Sequence, residues 1–259
     1  LGAVMNSTEI RSLFLSHGSP LSCFEDTAAR DFMVNLGKTL PKPKAVLAVS
    51  AHWTTRSAAV GSAIAPETIH DFYGFPDFLY QKRYLAKGAP ELAARAAALL
   101  GADLIEDQGL DHGIWTVMSL LWPEADVPVI PVAVQPKADP RHHYEMGVRL
   151  RPLVEEGALV LGTGSATHNL RAYMSNGGNG PQPWAAAFAD WLAEKSEAGD
   201  LESLLDYRAR APYARENHPT DEHLLPFYTA LGAAPAGKAS RLHASIEYGV
   251  ISMDGYGFA

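Results

Sequence analysis

Short apolar runs alternate with amphipathic stretches along most of the chain. Runs at 12–16, 44–50, 57–64, 103–106, 128–134, 158–162 and 242–247 predict strands. Helical patterns at 26–37, 90–100, 113–121, 140–155, 183–196, 199–206 and 220–231 fill the intervals. Pro90 opens its helix at the first turn, where a missing N–H costs nothing. Strand–helix alternation of this kind predicts an α/β fold: a single three-layer domain with a central, largely parallel or mixed sheet flanked by helices. No repeat, low-complexity tract or linker divides the chain. The domain is expected over 11–259, preceded by an arm at 1–10 in which Leu1-Gly2-Ala3-Val4 before Met5 reads as a tag leftover.

Two intervals stand apart. Gly177-Gly178-Asn179-Gly180-Pro181 reads as a mobile loop. The stretch 64–90 is long and aromatic, with Phe72, Tyr73, Phe75, Phe78, Tyr80 and Tyr84. Long loops in compact domains are usually functional or disordered, and this one is too aromatic for disorder. It reads as a lid or wall over a flat apolar substrate, or else as packing on the sheet edge.

Composition narrows the chemistry. A net charge of −8 argues against a nucleic-acid partner, which needs a basic surface. The single cysteine, Cys23, rules out an intrachain disulfide and a thiolate metal site within one chain, and it fits a reducing, cytoplasmic compartment. No apolar stretch reaches the roughly 18 residues of a membrane helix, and no signal-peptide pattern is present. Any metal here must use nitrogen and oxygen ligands.

Four histidines supply such ligands. His17 follows the run 12–16 and precedes Gly18, which permits tight backbone geometry. His52 sits in Ser50-Ala51-His52-Trp53, at the end of a strand too apolar for a surface. His168 follows the run 158–162 across a turn of small residues, with Thr167 and Asn169 beside it to fix a tautomer. His223 is expected in the first turn of the helix 220–231, capped by Thr220, where the helix dipole favours a neutral imidazole. Glu222 is the competing oxygen ligand. In open α/β sheets ligands bind beyond the carboxyl ends of strands, so distant histidines can converge there. His112 and His70 are weaker candidates for the pocket wall. His142 and His143 read as surface residues, and His243 as an ordinary strand residue.

Six segments, in order, resemble the 4,5-DOPA extradiol dioxygenase family of the class III (protocatechuate 4,5-dioxygenase-like) ring-cleavage enzymes. They are His17-Gly18-Ser19-Pro20, Ser50-Ala51-His52-Trp53, Ile69-His70-Asp71-Phe72, Asp111-His112-Gly113, Thr167-His168-Asn169-Leu170 and Glu222-His223-Leu224-Leu225-Pro226. The similarity spans about 11 to 254. It implies a catalytic domain in which His17, His52 and His223 hold a metal and His168 acts as acid and base. His112 and His70 are then expected to orient substrate or oxygen. Arg171, three residues past His168, is a candidate anchor for a substrate carboxylate or else a surface residue. Protocatechuate-cleaving relatives use two histidines and a glutamate, so Glu222 stands as an alternative to His223.

The resemblance implies Fe(II) as active metal, although three histidines also suit Zn(II), which purified protein can carry. The expected reaction is extradiol opening of a small-molecule catechol, DOPA-like or caffeate-like, with O2. Two rivals share the ligand set: a zinc-dependent hydrolase, and a non-catalytic metal-binding protein of the Memo type.

Overall fold

The computed structural model of the chain describes residues 5–176 and 180–259. The expected tag leftover at 1–4 and most of the glycine-rich loop, 177–179, lie outside them. Strands are β1 (Ser12–Ser16), β2 (Val46–Thr54), β3 (Ala59–Gly61), β4 (Asp103–Ile105), β5 (Val129–Val134), β6 (Leu159–Gly164), β7 (Ala239–His243), β8 (Ile246–Glu247), β9 (Ile251–Ser252) and β10 (Gly255–Phe258). Eight of them form one sheet in the order β4-β3-β5-β2-β6-β1-β10-β7, and β8 pairs with β9 separately. The neighbours β5, β2, β6 and β1 run parallel. β3 is antiparallel to β5, and β10 is antiparallel to both β1 and β7. The sheet is therefore mixed.

Each central strand is apolar on both faces, as a sheet covered on two sides requires. Val46 and Ala48 of β2 pack with the helices Ala28–Thr39 and His112–Leu121, in one layer. Leu47 and Val49 face the other layer, built from Pro90–Leu100, Pro140–Glu155, Pro183–Glu197 and Leu225–Ala233. The helix starts carry side-chain caps: Thr27 accepts from the Arg30 N–H, Asp111 from Ile114, and Asp139 from His142. Pairing brings three functional strands into line. Ser16 of β1 lies opposite Gly164 of β6, and Thr163 of β6 lies opposite Ser50 of β2. The carboxyl ends of β1, β6 and β2 thus meet at one edge.

The structure departs from the sequence pattern in several places. The expected strand 242–247 is split into β7 and β8, and β9 and β10 were not anticipated. β10 contains Gly255 and Gly257, which weaken a strand signal, yet its Tyr256 and Phe258 are fully buried against β1. The helix expected from 220 begins at Leu225, and Thr220 does not cap it. Pro226 has no N–H and its ring would strike the carbonyl four residues back, so a helix cannot already be running at Glu222. The aromatic stretch includes the short helix Asp77–Gln81, and Leu79, Tyr84 and Ala86 pack into the core. Among the described residues, no helix is long and apolar enough to cross a membrane.

Candidate active site

His17 leaves β1 next to Gly18, which has φ +66°; a Cβ there would come within 2.5 Å of Ser22 Oγ. Glycine is required on both counts. His52 lies within β2 rather than after it, in a stretch where the register against β5 slips between Val49 and Thr54. At the end of β6, Gly164 lies so close to the segment before the helix Leu225–Ala233 that a Cβ would sit 2.0 Å from the His223 carbonyl oxygen. That oxygen accepts the Ser165 N–H at 2.9 Å, which seats His223 against the strand end.

Five imidazoles gather here. Ring centroids of His52 lie 4.9 Å from His17, 4.0 Å from His112 and 5.0 Å from His223. His168 is stacked face to face on His223, at 3.4 Å and 7°. Two groups of ligand atoms fall within 4.8 Å of one another: His17 with His52 and His112, and His168 with Glu222 and His223. His112 is thus as close to the cluster as any expected ligand.

Hydrogen bonds decide which nitrogens are free. The Thr163 hydroxyl gives its proton to the Gly113 carbonyl at 2.8 Å, so at 3.0 Å from His17 it accepts the Nδ1–H. His52 Nδ1 faces Asp71 Oδ2 at 3.5 Å, and His223 Nδ1 donates to Glu222 Oε1 at 3.2 Å. In His17 and His223 Nδ1 keeps the hydrogen and Nε2 is left as a lone pair, an arrangement that also orients metal-ligating histidines. The Nε2 atoms of His17 and His52 face each other at 3.0 Å. Without a cation, that approach needs a hydrogen on His52 Nε2 donated to His17 Nε2, and a bound cation would take that hydrogen's place. His223 Nε2 is buried with no hydrogen-bond partner among the described residues. These residues fit a divalent metal with imidazole ligands.

Electrostatics agree. Burial, then the neighbouring histidines, hold His17 and His223 well below the usual imidazole range. Burial and His112 lower His52 to about 3, and burial lowers His168 to about 4. All four are neutral at pH 7, the form a metal binds. Burial acts to raise the Asp71 carboxyl, but hydrogen bonds from the His112 ring and backbone N–H outweigh it and bring Asp71 to about 2. Asp71 therefore stays ionised, with Oδ1 2.9 Å from the His112 backbone nitrogen and 3.0 Å from its Nδ1.

Asp71 and Thr163 were missed in the sequence. Asp71 stands beside His70 in a quoted motif, but spacing alone does not tell which of two neighbours faces inward. The structure does not bring His70 to the cavity: its Nε2 binds the Lys82 carbonyl at 3.0 Å and ties the aromatic loop to itself. Arg171 is exposed on the helix Leu170–Asn176 and does not line the cavity. His143, expected at the surface, is fully buried and takes the Gln135 N–H on its Nε2. Glu222 is engaged as acceptor for Thr220 and His223, while remaining within reach of His168.

Over the cluster lies a cavity of about 310 Å³. A cavity of about 150 Å³ accommodates benzene, so an aromatic ring with a substituent fits. Phe72 and Phe75 from the aromatic loop form one wall, and Leu170, Tyr173, Tyr248 and Ile251 the other.

The profile of a family described as the catalytic LigB subunit of aromatic ring-opening dioxygenase matches residues 12–259. The chain belongs to this family of ring-opening dioxygenases. It is 40% identical to a 4,5-DOPA dioxygenase extradiol of Beta vulgaris, over 95% of this chain and 96% of that protein. Identity to the protein of the same name from Escherichia coli K12 is 38%, over 96% and 95%. Dioxygenase tasH of Hapsidospora irregularis is 33% identical over 91% of this chain and 82% of that protein. A crystal structure described as uncharacterized protein JW3007 from Escherichia coli K12 superposes with a TM-score of 0.79 at 31% identity, over 96% of this chain and 99% of that one. These relatives favour an oxygenase over the zinc hydrolase and the Memo-type protein.

Proposed function

We propose that this chain opens the ring of a catechol-type substrate with O2 by extradiol cleavage. Fe(II) would be held by Nε2 of His17, His52 and His223, and Zn(II) would fit the same nitrogens without supporting the reaction. The catalytic unit is 11–259, and the lone cysteine supports a reducing, cytoplasmic setting. What supports this reading is the gathering of neutral imidazoles at the strand ends, with the Nε2 atoms of His17 and His52 facing each other at 3.0 Å and His223 Nε2 buried and unpaired among the described residues.

Bound there, Fe(II) would supply Lewis acidity and a path for electrons between catechol and O2. The other roles belong to side chains. His168 is neutral and stacked on His223, placed to take a proton from a substrate hydroxyl and return it later. His112, its Nδ1–H held by Asp71, presents its other nitrogen to substrate or oxygen. Phe72 and Phe75 exclude water from one face of a flat ring.

Protein loaded anaerobically with Fe(II) is expected to consume O2 and release a yellow semialdehyde when given catechols. His168→Ala should keep its metal and lose about 100- to 10,000-fold in turnover. His223→Ala should lose the metal, whereas His112→Ala should retain it. No oxygen uptake by metal-loaded protein across a catechol panel overturns the reading.

A further inference from the structure

The outer end of the cavity carries an unusual pair. Tyr173 and Tyr248 meet edge to face with ring centroids 5.0 Å apart, and both line the cavity. Tyr248 sits in the turn between β8 and β9 with φ +52°, a conformation that bulky residues rarely adopt. Such an outlier persists where surrounding structure demands it, often at ligand sites. Its phenol donates to Glu25 Oε2 at 3.2 Å. Burial and the Glu25 charge push the Tyr248 hydroxyl up to about 12, so it remains a donor. No lysine or arginine stands among the described residues that line the cavity.

We propose that Glu25, with the faces of Tyr173 and Tyr248, makes this cavity select catechols whose side chain ends in a cation, against those whose side chain is only a carboxylate. This presumes the ring-opening site described above. An ammonium group at the mouth gains from two tyrosine faces and from a carboxylate already fixed by a hydrogen bond. A carboxylate in the same place meets negative charge and no basic partner from the wall. Glu25 would be a specificity residue, remote from the reacting atoms.

The test separates binding from chemistry. Dissociation constants are measured calorimetrically on Zn(II)-loaded protein for dopamine, 4-methylcatechol and 3,4-dihydroxyhydrocinnamate. Dopamine is expected to bind at least about fivefold more tightly than the dihydrocinnamate, and raising the salt should shrink the gap. Glu25→Gln keeps an acceptor for Tyr248 while removing the charge. It should reduce the ratio of dopamine to 4-methylcatechol affinity by about three- to fivefold, the range for a partly exposed ion pair. Equal affinities, a preference for the carboxylate that Arg171→Ala abolishes, or a ratio untouched by Glu25→Gln each overturn the proposal. Absence of O2 uptake with intact amine preference would instead overturn the ring-opening reading.

Discussion

Replacing Thr163 by valine isolates what sets the His17 tautomer. Thr163 is fully buried at the end of β6, and its hydroxyl spans the Gly113 carbonyl at 2.8 Å and His17 Nδ1 at 3.0 Å. Valine keeps the shape and deletes both hydrogen bonds. Each buried partner left unpaired costs about 1–3 kcal/mol, so metal-free protein should unfold at a clearly lower denaturant midpoint. The ring also loses the acceptor that held the proton on Nδ1, and the competing tautomer places that proton on the nitrogen meant for the metal. Loss of such a supporting contact typically weakens metal binding by about 10- to 100-fold, or about 1.4–2.7 kcal/mol. Competition for Zn(II) against a chromophoric chelator measures this directly. Thr163→Ser, which restores the hydroxyl, should recover affinity to within about threefold. A folded Thr163→Val protein that binds zinc like the parent would refute the argument, showing that His17 does not ligate through Nε2 or that Thr163 does not govern it.

Two further outcomes follow from packing and from burial. Gly164→Ala puts a Cβ 2.0 Å from the His223 carbonyl oxygen, so it should cost about 1–3 kcal/mol in stability and also weaken zinc binding; an unchanged midpoint together with unchanged affinity counts against this seating of His223. His143 is buried, lowered to about 4 chiefly by that burial, and uses its neutral form to accept from Gln135 and donate to the Asp139 carbonyl. Its folded value lies below the unfolded value near ~6.5, so the unfolded chain binds more protons as pH falls from 6.5 toward 4 and stability is lost in that window. Between pH 7 and 4.5 the loss from this residue is about 2–3 kcal/mol, and His143→Gln should flatten the urea-unfolding profile by that amount; parallel profiles would show that His143 does not titrate this way.

The layered fold was legible because its central strands are buried on both faces. β1, β2, β5 and β6 are continuous apolar runs, and the helices Pro90–Leu100 and Pro140–Glu155 match their patterns to the residue. Short strands were not. β9 is two residues long, and β10 owes its place to pairing with β1 at the opposite end of the chain. Local pattern also placed the start of the last helix too early, since the steric demand of Pro226 outweighed the capping signal of Thr220.

At the site, the residue order by itself determined that His17, His52 and His168 come at or just after apolar strand runs, with Gly18 and Gly164 close by. It did not determine how each ring is held. Thr163 supports His17 from 146 positions away, and Asp71 reaches His112 across 41. Which of two adjacent loop residues turns inward, Asp71 or His70, was settled by the packing of the aromatic loop against the helix that begins at His112. Hydrogen-bond partners of this kind depend on approach distances of a few tenths of an ångström. Spacing along the chain carries no such information, so the imidazoles could be read from the sequence, but their tautomers only from the folded chain.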